Sequence, residues 1–390
     1  MRFVLIKFII FFGFLNASGV LFSSVPMPSV EVVDVNIDKC DKNCLDEHME
    51  NGKPFSYAAK SSDNKTDGSY KNFSNYDNNK NNLKVAILLP SKVIGSYSTY
   101  VTNTVLAYFL STDSYFEVKT FDSTDESIDN LDATIKEIVK EGFGYCIAPV
   151  TKEGANNLAS INSSLNIFVP TVNQKNVENK NYLMVYGGID YDAQVKKLEK
   201  MFKKQLFIFE EAGAISKRIS DLAAHNSDLP VTRLMVKSNS EDYSNIFESV
   251  NIGVESTVLL NTQPIKSSLL LSQFTYRDFN LSAIFSTQIN YSPVLLGLTQ
   301  PMDLKKLYVA NSISTKNSKI EEYNNLLHND IVYNWINYST SILCDFIFQS
   351  MNRNYDPKSK SFGLSLIDKQ INYDVQIYKV GYRSFFKPEM

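Results

Sequence analysis

From residue 83 to the C-terminus, apolar positions alternate between short continuous runs and helically spaced stripes. Leu83–Leu89 (LKVAILL) is an unbroken apolar run stopped by Pro90, the pattern of a central parallel strand covered on both faces. Residues 96–109 then place Tyr97, Val101, Val105, Leu106 and Phe109 on one helical stripe, and 115–121 alternates as a strand. A second stripe (Ile128, Leu131, Ile135, Ile138, Val139) precedes the buried run 144–150 (GYCIAPV), a short helix at 154–161 and a strand at 166–169. The same alternation continues with strands at 183–186, 205–209, 231–236, 256–260, 281–285 and 307–310. Helices are expected at 193–202, 214–224 and 265–274, with a long one at 332–351 before a β-rich end at 365–380.

Strands that alternate with helices predict parallel, doubly wound α/β sheets. About ten strands are too many for one small sheet, and the pattern restarts near Gln205. The expected architecture is therefore two doubly wound parallel-sheet lobes around a cleft. Lobe 1 is expected over 83–204 and lobe 2 over 205–330, followed by a helix and strands over 331–390. The hinges are expected near Gln205 and Asp330.

Residues 1–82 carry other signals. Arg2 and Lys7 precede the apolar run FIIFFGFL and the small residues Ala17 and Gly19, which predicts a secretory signal at 1–19, with cleavage at Ser23 or Ser24 as alternatives. Asn16 interrupts the run well short of the ~20 residues a spanning helix needs. An exported, periplasmic location follows. Residues 20–60 hold Cys40 and Cys44, a spacing that suggests a local disulfide in an exported chain. The alternative, a metal held by Cys40, Cys44 and His48, has no fourth ligand nearby. Residues 61–82 (SSDNKTDGSYKNFSNYDNNKNN) are too polar to offset their ordering entropy and are expected to form a disordered linker. Cys146 and Cys344 lie in apolar surroundings and are expected to be buried free thiols.

Composition narrows the function. The 390 residues are 44% hydrophobic and 21% charged, with a formal net charge of −3. No basic stripe is present to track phosphates, so nucleic acid is not an expected partner, and no polybasic patch points to a membrane surface. His48, His225 and His328 all fall outside the ends of core strands. No Gly-x-Ser-x-Gly elbow, Gly-rich phosphate loop or HExxH is present, so no enzyme activity and no cofactor are expected.

In order and pattern, residues 83–380 resemble the type I periplasmic-binding fold of branched-chain amino-acid receptors. The resemblance rests on LKVAILLP followed by Gly95, on Cys146-Ile-Ala-Pro-Val-Thr-Lys-Glu-Gly154, on Phe168-Val-Pro-Thr171, and on Val185-Tyr-Gly-Gly-Ile-Asp-Tyr-Asp-Ala-Gln194. The helix Trp335 to Phe348 and the strands Ser365 to Val380 resemble the family's returning segment, which implies that 331–390 returns to lobe 1. The chain is also similar to the periplasmic activators of penicillin-binding proteins, which keep the fold and touch another protein. The first resemblance implies a small polar ligand, amino-acid-like or peptide-like, held between the lobes and passed to a membrane permease. The second implies a non-transporting partner of an envelope protein, such as a regulator of cell-wall synthesis or a scaffold.

Ligands of open parallel sheets sit beyond the carboxyl ends of the strands. On lobe 1 this nominates Ser96, Tyr97, Thr151, Thr171 and Asn173, although helix capping explains Ser96 and Thr151 equally well. On lobe 2 the resemblance implies an acidic residue for a ligand ammonium, for which Glu210 or Glu211 is available, but the aromatic-Gly pair that usually accompanies it is missing. Glu153, beside Thr151, opposes a ligand carboxylate. The amide- and hydroxyl-rich stretch from Ser286 to Pro301 nominates Gln288, Asn290 and Tyr291, while a Pro-started helix at Pro293 offers a structural reason for the same residues.

Overall fold

The computed structural model describes residues 83–388 apart from 113, 180, 238–243, 315–316, 353–355 and 357, together with 43–44 and 46–47. The chain divides into two compact units, Met1–Asn79 and Lys80–Met390. In the first, the four described residues are helical. The expected signal segment, the linker, Cys40 and His48 lie outside the described residues. Everything below concerns the second unit.

Two seven-stranded sheets form the unit. The first carries β1 (Leu83–Leu89), β2 (Phe116–Asp122), β3 (Tyr145–Ile147), β4 (Asn166–Val169) and β5 (Met184–Tyr186) in the order β2-β1-β3-β4-β5. The second repeats that order with β6 (Leu206–Glu210), β7 (Val231–Met235), β8 (Thr257–Asn261), β9 (Ala283–Ser286) and β10 (Leu307–Asn311), as β7-β6-β8-β9-β10. All ten pair in parallel within their sheets. The helices are α1 (Ser91–Ile94), α2 (Tyr97–Leu110), α3 (Ile128–Lys140), α4 (Lys152–Ser160), α5 (Tyr191–Glu199) and α6 (Ala214–Asn226). They continue with α7 (Ser244–Glu248), α8 (Pro264–Tyr276), α9 (Pro293–Leu298), α10 (Ser318–Leu326) and α11 (Trp335–Met351). The strands β11 (Ser365–Ile367), β12 (Gln370–Asn372), β13 (Gln376–Gly381) and β14 (Ser384–Phe386) close the fold.

The unbroken apolar runs follow from helices on both sheet faces. In β1, Val85 and Ile87 join one core cluster with Val101 and Val105 of α2 and Ile342 of α11. The intervening Ala86 and Leu88 join another with Leu131 and Ile135 of α3 and Leu158 of α4. In β6, Phe207 and Phe209 pack with Leu270 and Phe274 of α8, and Leu206 and Ile208 with Ile219 of α6. Because successive strand side chains point to opposite faces, only an all-apolar strand satisfies both coverings.

The chain changes lobe at places the one-dimensional pattern did not mark. Helix α5 packs on α6 and β10, and its Val195 and Leu198 join the core of the second sheet. The first crossing is therefore 187–190, ahead of the expected boundary at Gln205. The second is 312–317, since α10 packs on α2 of the first lobe, rather than near Asp330. The C-terminal strands also separate. β11 and β12 extend the first sheet beside β5, but β13 pairs antiparallel with β10 and carries β14 into the second sheet. A third crossing, 373–375, joins them. The register explains the split: β13 satisfies the open edge of β10 from Tyr308 to Asn311.

Candidate functional site

All three crossings leave from the carboxyl ends of β5, β10 and β12, so the carboxyl edges of both sheets face the same gap. In each sheet the order reverses there, between β1 and β3 and between β6 and β8, the position at which open α/β sheets hold ligands. The first crossing is laced down. Gly187 O accepts from Ser339 Oγ at 2.8 Å and from Tyr373 Oη, and Gly188 O accepts from Asn173 Nδ2 and Gln370 Nε2, both at 3.0 Å. Glycine is required here: a Cβ on Gly187 would lie 2.1 Å from Ser339 Oγ, and one on Gly188 would lie 2.3 Å from the backbone of Val172.

On the first lobe, the helix N-terminus expected to face a ligand carboxylate is occupied by the protein's own carboxylate. Glu126, in the loop between β2 and α3, accepts from Thr151 N at 2.7 Å, from Gly154 N at 3.1 Å and from Thr151 Oγ1. Thr151 Oγ1 also caps α4 by accepting from Gly154 N at 3.3 Å. Glu126 is only 8% exposed, and a Cβ on Gly154 would lie 2.5 Å from its carboxyl carbon. Among the other nominated residues, Thr171 Oγ1 donates to Val150 O, and buried Asn173 caps a short 3-10 turn while bonding Gly188. Ser96 occupies the N-cap position of α2 without a side-chain capping bond. Tyr97 is exposed and meets Tyr100 edge-on, with ring centroids 6.3 Å apart.

On the second lobe both nominated glutamates are already partnered. Arg233 of β7 grips Glu210 in a bidentate fork, Nε to Oε1 at 3.1 Å and Nη2 to Oε2 at 2.6 Å. Glu211 caps α8 through Gln263 N at 2.8 Å and pairs with Lys266. Each lobe thus turns one of its own glutamates onto the helix that follows its third strand in sequence, α4 or α8. Gln288, Asn290 and Tyr291 are all buried. Gln288 N donates to Gln194 Oε1 at 2.9 Å, and Gln288 Oε1 accepts from Ser312 N at 2.7 Å. Gln194 Nε2 donates to Ser312 Oγ at 2.7 Å, so two fully enclosed amides hold the second crossing to α5. Asn290 Nδ2 bonds Thr262 O and Ser286 Oγ. Tyr291 stacks among Tyr333, Tyr378 and Phe385, its ring centroid 4.5 Å from that of Phe385.

Two residues not nominated from sequence shape the gap. Glu126 carries no motif, and its partner Thr151 lies too far along the chain to be paired by spacing. Tyr191, at the start of α5 just past the first crossing, is buried in the core cluster of the second lobe. Burial pushes its hydroxyl well above the usual phenol range, with Arg218 opposing and Tyr97 adding to the shift. The signal that was available was its place in the Asp-Tyr-Asp-Ala-Gln194 stretch. Exposed apolar side chains occur in the first turns of the helices that follow the carboxyl ends of the strands, which form the lips of the gap: Val93, Tyr97 and Tyr100 after β1, and Ile215, Ile265 and Val294 after β6, β8 and β9. With Glu126, Glu210 and Glu211 internally engaged, these lips present apolar and aromatic contact area, the kind that anchors protein interfaces. No group of His, Cys, Asp and Glu able to hold a metal occurs among the described residues.

By sequence the chain matches no protein-family model and no curated protein. By structure it is similar to the leucine-binding protein LivK of Thermotoga maritima (TM-score 0.54, 14% identity, covering 78% of this chain and 97% of that one). It is similar also to a leucine-, isoleucine-, valine-, threonine- and alanine-binding protein of Brucella ovis in its closed conformation (TM-score 0.57, 8% identity, 80% and 95% covered). A third similar structure is full-length LpoA of Haemophilus influenzae (TM-score 0.54, 12% identity), where the match spans 88% of this chain and 64% of that one. The fold is the type I periplasmic-binding fold.

Proposed function

We propose that this chain is an exported, non-transporting binding protein that uses the type I fold to engage another protein of the cell envelope. The observation that carries the reading is the seating of Glu126 on the N-terminus of α4. A helix N-terminus binds one anion well, because its unpaired N–H groups and dipole converge on one spot. With Glu126 there, a ligand carboxylate meets a buried like charge instead of free donors. The engagement of Glu210 by Arg233 and of Glu211 by Lys266 removes the acidic groups that the receptor reading assigned to an ammonium. The apolar lips supply contact area for a protein partner, which is why the interaction reading is preferred to transport of a small polar solute through a permease. No described helix is long and apolar enough to cross a membrane.

Two measurements test this. Calorimetric titration with leucine, isoleucine and valine should give no saturable heat. A photo-crosslinking residue at position 97 in cells should yield one discrete protein adduct, whereas the same residue at Tyr276, exposed at the far end of α8, should not. Micromolar leucine binding with a raised melting temperature would return the protein to the solute receptors.

A further inference from the structure

Away from the gap between the lobes, a cavity of about 490 Å³ opens among the C-terminal end of α2, the N-terminus of α10, the C-terminal end of α11 and the loop at 360–361. None of the residues nominated from sequence lines it. Its volume falls in the range of small-molecule sites, roughly 300–1,000 Å³. Its two ends differ in charge.

The inner end is negative. Asp345 is 2% exposed, and its two oxygens accept from Tyr108 Oη and Ser361 Oγ (both 2.6 Å), Ser359 Oγ (2.6 Å), Gln349 Nε2 (2.9 Å) and Ser361 N (3.3 Å). Five hydrogen bonds converge on this carboxyl group, and among the described residues no ion pair with it occurs. The bond from Gln349 fixes which way that amide faces: its NH2 must turn to Asp345. Its Oε1 is thereby left buried without a donor, and Gln349 is itself only 3% exposed and lines the cavity. The C-terminal carbonyls of α11 add to the negative potential there. The outer end is positive. Lys319 and Lys360 line the rim beside the N-terminus of α10, and Lys360 makes no ion pair among the described residues.

We propose that this cavity binds a small zwitterion, its ammonium donating to Gln349 Oε1 under the field of Asp345 and its anionic group held at the rim by Lys360 and the first turn of α10. An orphaned buried acceptor calls for a donor, since leaving it unpaired costs about 1–3 kcal/mol. A lone anion would face the Asp345 charge, and a lone cation would face the lysines; a molecule with both charges satisfies both ends. Free amino acids, short peptides and phosphoethanolamine share this chemistry.

Ligand-observed NMR and calorimetry on the protein with glycylglycine and with phosphoethanolamine test the site and distinguish carboxylate from phosphate. Saturable binding of at least one is expected. It should weaken about tenfold or more in Lys360→Glu and in Gln349→Met, a tenfold loss being ~1.4 kcal/mol, with the exposed Lys360→Glu variant melting close to wild type. Ethyl phosphate and acetate, which lack the amine, should bind far more weakly. Tyr97→Ala, on the lip of the interlobe gap, should leave binding unchanged. The proposal is overturned if neither probe saturates, if both variants bind like wild type, or if Tyr97→Ala abolishes binding.

Discussion

Replacing Glu126 with alanine removes a carboxylate that accepts three hydrogen bonds at the start of α4. Gly154 N, which is buried, is then left with only Thr151 Oγ1 at 3.3 Å. A buried donor deprived of a charged acceptor costs about 1–3 kcal/mol. Thr151 is exposed, so water replaces much of what it loses, and the net expectation is about 2 kcal/mol. For a unit of this size that corresponds to a melting temperature lower by about 3 °C. The variant also leaves a carboxylate-sized space at a helix N-terminus, so a small carboxylate should rescue it. If acetate binds with a Kd of about 10 mM, then at ~100 mM it returns about 1.4 kcal/mol, because it binds the folded state alone. The assay is thermal and urea unfolding of wild type and Glu126→Ala in sodium acetate against sodium chloride of equal ionic strength. Acetate should raise the variant and leave the wild type unmoved. A variant as stable as wild type, or equal acetate effects on both, would refute the idea that Glu126 occupies an anion subsite.

Other expectations follow from the same geometry. Gly188→Ala places a Cβ 2.3 Å from the Val172 carbonyl carbon and 2.4 Å from Asn173 N, backbone that cannot step aside; a loss of about 1–3 kcal/mol is expected, and a wild-type urea midpoint would count against the tight first crossing. Gln194→Leu strands Gln288 N and the Ser312 hydroxyl in the interior, for about 2–3 kcal/mol; an unchanged midpoint would show that this amide pair does not hold the second crossing. Hydrogen bonds from Thr124 N, and then from Ser91, hold the Asp122 carboxyl below its ordinary 3.8. A depressed acid stabilises the fold above its unfolded pKa, so the gap between wild type and Asp122→Asn should be full at neutral pH and close as pH falls below 3.8; a gap constant with pH would exclude that source. Cys146 and Cys344 are buried free thiols, burial pushing the first up to about 12 and the second upward as well. Alkylation without reductant should therefore label neither in the native protein and only these two after denaturation, while labelling of Cys40 and Cys44 would rule out the disulfide proposed between them.

Much of the fold was legible in the chain because burial on two sides leaves a periodic record. Strands such as β1 and β6 read as unbroken apolar runs, and α3 shows its apolar stripe at helical spacing. Helix α10 was missed because its inward residues, Ile320 and the buried Asn324, are too few and too polar to make a stripe. The site was less legible. Of the nominated residues, Ser96 and Tyr97 are exposed beside the gap and Thr151 lies at its edge under Glu126, whereas Gln288, Asn290 and Tyr291 are interior. An amide-rich turn looks the same in sequence whether it faces a ligand or ties a crossing to a helix.

By itself, then, the order of apolar and polar residues determined that this protein is a doubly wound α/β molecule in two similar halves, because secondary structure and sheet burial are set by periodicities of a few residues. Only the tertiary structure decided where the chain changes lobe, that β13 and β14 join the second sheet, and that Glu126 lies on α4 while Arg233 holds Glu210. Those outcomes depend on which groups meet across long stretches of chain, where a hydrogen bond or ion pair leaves no spacing to read. The expected anion subsite was therefore visible in the sequence as a helix start after a strand, but the residue that fills it was not.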